Sequence, residues 1–194
     1  MLDQAAPKES HLTAFKRILH YINGTSDYGI WYSRDSNKCR ARYSDADWVE
    51  CIDDWKSAFG GCFYLGNNLV SWMSKKQNSV SLSTAEAEYI ATASCCAQLL
   101  WMKKLLHDYG ITQDTTCMFC DTMSAINFSK NPVQHLKSKH IEIRYHFIRD
   151  LVEEMTVYLE FINTDNQKAN IFTKPLDGPR FESLRKTIGV DIIP

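Results

Sequence analysis

The stretch STAEAEYIATASCCAQLLWMKKLLH, residues 83–107, decides how the rest of the chain is read. Ala87, Ile90, Ala91, Leu99, Leu100 and Met102 suit helical spacing, and the run stops before Gly110, so the sequence predicts a helix from Ser83 to about His107. Upstream the period is different. Residues 28–33 and 40–47 are strand-like, while 61–65 and 69–74 flank Gly66-Asn67-Asn68 as a hairpin, so the first half reads as a strand meander. Before it, Leu12, Phe15, Ile18, Leu19 and Ile22 mark a short amphipathic helix that ends at Asn23-Gly24. Downstream, 116–120 is a short buried-looking strand and 122–129 a helix ending before Pro132. A second helix carries Ile141, Tyr145, Ile148 and Val152, and both helices are expected to pack apolar stripes inward. Residues 156–162 form the last expected strand, 167–172 a helical turn before Pro175, and 182–188 a C-terminal helix. A meander followed by helix, strand, helices, strand and helix implies an α/β fold, a mixed sheet with helices on its faces. Such a fold hosts many functions, so function has to be read from sites.

The 194 residues fit one domain, or one domain with a small appendage, and exclude a multi-domain machine. With 44% apolar residues the chain can close a core without disulfides or metal staples, which argues against intrinsic disorder. A net charge of −1 announces no partner, so any nucleic-acid contact must come from a local basic patch. Seven cysteines, an odd number scattered through strands and helices, read as reduced thiols. No apolar leader segment opens the sequence, and the longest uncharged apolar-leaning run, 89–102, is too short and too polar to span a bilayer. The expectation is a soluble intracellular protein, cytoplasmic or nuclear, with no membrane contact; nothing indicates its oligomeric state.

Three acids sit where an unpaired charge is costly. Asp45 lies within the apolar strand 42–48, Glu88 in the first turns of the long helix, and Asp121 at the end of the strand 116–120. Carboxylates brought together repel one another, so a cluster of them makes sense mainly around a divalent metal, with Mg²⁺ or Mn²⁺ the expected cation for hard oxygen ligands. Two such ions about 4 Å apart can activate a water and stabilise the leaving oxygen in phosphoryl transfer.

The stretches YSDADW (43–48), SWMSKKQNSVSLSTAEAEYIA (71–91), LLWMKKLL (99–106), CDTMSAI (120–126), NPVQHLKSKHIEIRYHFIRDLV (131–152) and KANIFTKPL (168–176) resemble the ribonuclease H domain of copia-type retrotransposon polyproteins. The likeness runs over roughly residues 11–190. It implies a ribonuclease H-like fold, with a five-stranded mixed sheet of an antiparallel meander plus parallel strands and helices on both faces. It further implies an N-terminal extension over 1–35 resembling the reverse transcriptase connection, and the ribonuclease H-like domain over 36–194. The expectation is a free-standing, domesticated or excised domain. By the same resemblance Asp45, Glu88 and Asp121 match three catalytic and metal-binding acids of the family, with Ala91 completing the Glu-x-x-Ala pattern. The fourth acid falls on Asn170, where the family usually reads Ala-Asp-Ile-Phe-Thr-Lys. Asn170 offers a neutral oxygen and no charge, so a second metal should bind more weakly. The implied activity is metal-dependent endonucleolytic cleavage of RNA strands, leaving 5′-phosphate and 3′-hydroxyl ends, with an RNA/DNA hybrid or double-stranded RNA as substrate.

Several residues admit other readings. Ser83-x-x-Glu86 is a capping box, which gives Glu86 a structural job and leaves Glu88 as the ligand. Asp47 shares a strand face with Asp45, and Asp121 also suits the N-cap of the next helix. Asp165 is the lesser candidate to stand in for the missing acid, since Thr164-x-x-Gln167 also reads as a capping box. Lys139, His140 and Arg144 are the best candidates for phosphate contacts, and Lys75 and Lys76 for the other strand of a duplex. His140 is also a candidate proton relay. Cys117-x-x-Cys120 points to opposite strand faces and Cys95-Cys96 has no partner pair, so these are core thiols rather than zinc ligands. The rival function is a duplex-binding module that has lost catalysis, motivated by Asn170.

Overall fold

Pleated segments rich in aromatic and small residues form the sheet, and the change of period at Ser83 starts the long helix, as the patterning predicts. The computed structural model describes residues 7–34, 42–48, 55–112, 115–130 and 146–193. In chain order these form α1 (Glu9–Gly24), β1 (Tyr28–Ile30), β2 (Arg42–Asp47), β3 (Ala58–Leu65), β4 (Asn68–Lys76), α2 (Thr84–Asp108) and β5 (Thr116–Cys120). They continue with α3 (Met123–Lys130), α4 (Phe147–Glu153), β6 (Val157–Phe161), two 3₁₀ turns (Thr164–Asn166 and Lys168–Phe172), α5 (Gly178–Thr187) and β7 (Val190–Ile192).

Five strands make one sheet in the order β4-β3-β2-β5-β6. β2, β3 and β4 are antiparallel neighbours, whereas β5 runs parallel to β2 and β6 parallel to β5. The β3–β4 turn is tight, with Leu65 opposite Asn68, and Gly66 takes the positive φ (64°) that such a two-residue turn demands of its first central residue. One face of the sheet packs on α2, α3 and α4 around Phe63, Tyr89, Leu99, Met118, Ile126, Ile148 and Val157. The other is covered by the second 3₁₀ turn and the end of α5 around Tyr43, Tyr64, Leu69, Ala169 and Ile188. This antiparallel meander extended by parallel strands, with helices on both faces, is the ribonuclease H-like α/β architecture that the resemblance implied.

Two differences from the sequence reading are local. Residues 28–30 do not join the meander; they pair antiparallel with β7, a strand too short to register as a pattern, and Asn68 ties them to the hairpin by bonding both backbone groups of Ser33. α5 begins four residues before the expected 182, because Asp177 caps it by accepting the Arg180 amide (2.9 Å) and Pro179 is tolerated in a first turn. Of the helix expected to carry Ile141 to Val152, residues 141–145 lie outside the described residues. α1 buries none of its residues, and its stripe of Leu12, Phe15, Ile18, Leu19 and Ile22 is about half exposed. No helix among the described residues is long and apolar enough to cross a membrane.

Candidate metal centre

Parallel pairing of β2 with β5 sets Tyr43 opposite Phe119, so Asp45 and Asp121, each two residues further on, emerge side by side where the two strands end. The third acid comes from α2. Small residues make its approach possible: Ala87 and Ala91, with no exposed surface, pack on Ala46 and Phe59. That contact brings Glu88 to the strand backbone, where the Ala46 amide donates to Oε1 (3.0 Å), while Thr92 one turn on bonds the hydroxyl of Ser44 (3.2 Å). Each of Asp45, Glu88 and Asp121 then offers an oxygen, and these oxygens lie within 4.8 Å of one another.

A fourth wall is supplied by the second 3₁₀ turn. Gln167, fully buried, donates through Nε2 to the Ser44 carbonyl (2.8 Å) and caps the turn by accepting the Ala169 amide (3.3 Å). Gly60, opposite Asp45 in the β2–β3 register, lets the turn settle on the sheet: a Cβ there would stand 2.8 Å from Phe172 Cβ and from Thr173 Cγ2. The Thr173 hydroxyl thereby donates to Asp45 Oδ2, and Lys174 Nζ lies 3.6 Å from the same oxygen.

Burial and mutual repulsion show in the acidities. Asp45, 1% exposed, has its carboxyl pushed up to about 6, first by desolvation and then by Asp121 and Asp47, against the opposing pull of Lys174 and Thr173. Glu88, 2% exposed, is driven well above the usual carboxylate range by desolvation and by the charges of Asp45 and Asp121. Asp121 is better solvated and held from both sides, by the hydroxyls of Thr164 (2.9 Å) and Thr122 (3.4 Å). Asn170, 2% exposed, donates through Nδ2 to the Thr164 carbonyl (3.1 Å), whereas its buried Oδ1 has no hydrogen-bond partner among the described residues. Three converging carboxylates form a hard oxygen donor set, which fits Mg²⁺ or Mn²⁺.

Over 189 residues, 97% of its length, the chain is 39% identical to the retrovirus-related Pol polyprotein from transposon RE1 of Arabidopsis thaliana. It is homologous to a segment of the copia-type retrotransposon Pol polyproteins. The Pol polyprotein from transposon TNT 1-94 of Nicotiana tabacum is 36% identical over 184 residues, 95% of this chain. The chain spans 13% and 14% of the length of these two relatives. No protein-family model matches it. Among solved structures, the N-terminal RNase H domain of a Mycobacterium tuberculosis protein aligns with 78% of this chain and 99% of that one, with 9% identity and a TM-score of 0.49.

In this homologue of a copia-type Pol segment the remaining sequence candidates fall as follows. Glu86 is structural, but not quite as the capping box has it: Ser83 Oγ accepts the Glu86 amide (3.3 Å), while the Glu86 carboxylate accepts the amide of Leu82 (2.7 Å), not that of Ser83. Asp165 is exposed and stands outside the acid cluster, and the cap of its turn is Asn163 rather than Thr164. Asp47 is half-buried and also outside the cluster. Lys75 and Lys76 are exposed on the edge strand β4, opposite Phe59 and Ala58 and so at the level of Ala46 and Asp47. Lys139, His140 and Arg144 lie outside the described residues. The thiols of Cys117 and Cys120 point apart, one to Glu160 (3.5 Å) and the other to Glu88 Oε2 (3.9 Å). Sequence reasoning missed Thr164, Thr173, Lys174 and Cys120 as neighbours of the acids. KANIFTKPL carried two of them in plain view, yet only its position 170 drew chemical interest.

Proposed function

We propose that this chain is a metal-dependent endoribonuclease of the ribonuclease H type, hydrolysing the RNA strand of a duplex. The observation that carries the reading is the convergence of Asp45, Glu88 and Asp121, from two parallel strands and one helix, onto oxygens within 4.8 Å of one another. Homology to a segment of the copia-type Pol polyproteins and the ribonuclease H-like sheet support it. Asp45, Glu88 and Asp121 would hold the divalent cation, with Asn170 Oδ1 as a neutral fourth oxygen. Bound there, the cation would supply a Lewis acid that acidifies water and offsets the charge of a phosphodiester.

The chain's own residues do the rest. The Ala46 amide aims the Glu88 carboxylate, the hydroxyls of Thr122 and Thr164 fix both oxygens of Asp121, and Thr173 orients Asp45, so the ligands are ordered before anything binds. Lys75 and Lys76 on the edge strand, with Lys139, His140 and Arg144, are proposed to track the phosphates of the duplex. Recognition through A-like shape and 2′-hydroxyls admits both an RNA/DNA hybrid and double-stranded RNA. Asn170 favours a second reading, a duplex-binding module without turnover, since it removes one charge from the site.

The test is cleavage of end-labelled hybrid and double-stranded RNA side by side in Mg²⁺ or Mn²⁺. The expected result is endonucleolytic cutting of the RNA strand, abolished by EDTA, by Asp45→Asn and by Asp121→Asn. Cleavage that persists in chelator or in both variants overturns the nuclease reading. Duplex binding without cleavage in the wild type and in Asn170→Asp supports the binding module instead.

A further inference from the structure

The turn that closes the acid cluster carries a cation of its own. The amides of Thr173 and Lys174 both point at the Asn170 carbonyl (3.3 and 3.4 Å), so the Asn170 side chain, the Thr173 hydroxyl and the Lys174 ammonium belong to one folded unit. Gln167 pins that unit to β2, and Gly60 seats it on β3. Lys174 therefore does not wave over the site; it is 31% exposed, with Nζ 3.6 Å from Asp45 Oδ2. With all three carboxylates ionised the cluster carries −3, Asn170 adds none, and Lys174 brings the sum to −2, the charge that one divalent cation neutralises.

Resting on the reading of this cluster as a divalent-cation site, we propose that Lys174 is its resident monovalent cation and, together with Asn170, limits it to a single divalent ion. A second divalent ion would have to approach an ammonium held beside Asp45, among carboxylates of which Asp45 and Glu88 are fully buried; like charges a few ångströms apart in such a medium repel strongly. Displacing Lys174 would strip Asp45 of its partner. When a phosphodiester enters, the three N–H donors of the same ammonium are in place to meet its oxygens, supplying the positive charge that a second ion would otherwise bring. On this account the two residues act in the same direction: Lys174 occupies the side of Asp45 that a second ion would need, and Asn170 withholds the charge that would attract one.

The experiment counts ions. The intact chain is titrated with Mn²⁺, following heat by calorimetry and free Mn²⁺ by electron paramagnetic resonance, for wild type, Lys174→Met, Lys174→Arg, Asn170→Asp and the Lys174→Met/Asn170→Asp double variant, with circular dichroism to verify folding. Wild type and Lys174→Arg are expected to take up one ion. Lys174→Met and Asn170→Asp should each bind a second ion at least roughly tenfold more tightly than wild type does, and the double variant should bind it more tightly still. Two ions of comparable affinity in the wild type overturn the proposal, as does a Lys174→Met titration indistinguishable from wild type. The underlying reading fails differently: a wild type that binds no Mn²⁺ at all removes the cation site itself, and the role of Lys174 with it.

Discussion

Asp45 pays, in folding free energy, for being useful. Its carboxyl is buried between two other acids, and among the described residues Thr173 and Lys174 relieve it. Replacing it with asparagine keeps the shape and an acceptor for the Thr173 hydroxyl while removing a charge that the metal-free protein accommodates poorly. Asp45→Asn is therefore expected to raise the metal-free melting temperature at pH 7.5 while abolishing Mn²⁺ binding, and calorimetry on the same preparation reads both. A variant that melts below wild type in EDTA would contradict the claim that the cluster is strained without a cation. The acids were legible in the sequence because each broke a local rule, a charge amid aromatics or at the end of an apolar strand. Their supports were not. Thr173 lies 128 residues from the Asp45 it touches and Thr164 lies 43 from Asp121, and a threonine in a polar loop breaks no rule that would single it out.

Elements converge on the centre because two of them approach the sheet more closely than a side chain would allow. At Gly60 an added methyl meets Phe172 and Thr173 at 2.8 Å, both held by a capped turn, whereas at Gly61 it meets the Cys95 sulfur at 2.5 Å, on the α2 side. The two clashes should behave differently. Gly60→Ala is expected to cost about 1–3 kcal/mol and to lift the turn from Asp45, weakening Mn²⁺ binding as well as stability. Gly61→Ala should cost a similar amount, recovered largely by Cys95→Ala, with Mn²⁺ affinity unaffected in the rescued protein. Urea melts and metal titrations on the three proteins check this; equal metal affinity in Gly60→Ala and wild type would show that the turn does not depend on that glycine. Long-period elements such as α2, and the hairpin with its Gly66 turn, were readable because their determinants are contiguous. The partner of β1 was not: residues 28–33 read as a strand, but the three residues at 190–192 become one only by pairing with 28–30.

At the scale of the whole molecule, the centre sets how stability responds to pH and to cations. Asp45 has a carboxyl near 6 in the folded chain against an ordinary value of 3.8, and Glu88 is shifted the same way, so the folded state holds these protons more tightly than the unfolded chain does. The sign follows. Stability from these groups is fullest below about pH 4, is lost as the pH rises to about 6 and beyond, and does not return at neutral pH, with Asp45 alone accounting for something on the order of 3 kcal/mol. Asp191 acts in the opposite sense, its acidity strengthened by the Ile192 amide and Arg185, but it sits at the solvated surface where such shifts count for little. A divalent cation bound at the cluster would stabilise the ionised form, adding about 2.7 kcal/mol at a concentration one hundred times its dissociation constant. In EDTA, wild type is therefore expected to melt at a lower temperature at pH 7.5 than at pH 5, with the difference reduced in Asp45→Asn. Millimolar Mn²⁺ should restore wild type at pH 7.5 and leave it nearly unchanged at pH 4.5, where protons compete for the same oxygens, while NaCl of equal ionic strength should not substitute. An EDTA melting temperature that climbs steadily from pH 5 to pH 7.5 would mean that the acids are not held together in the folded chain, and the case for a cation site would go with it.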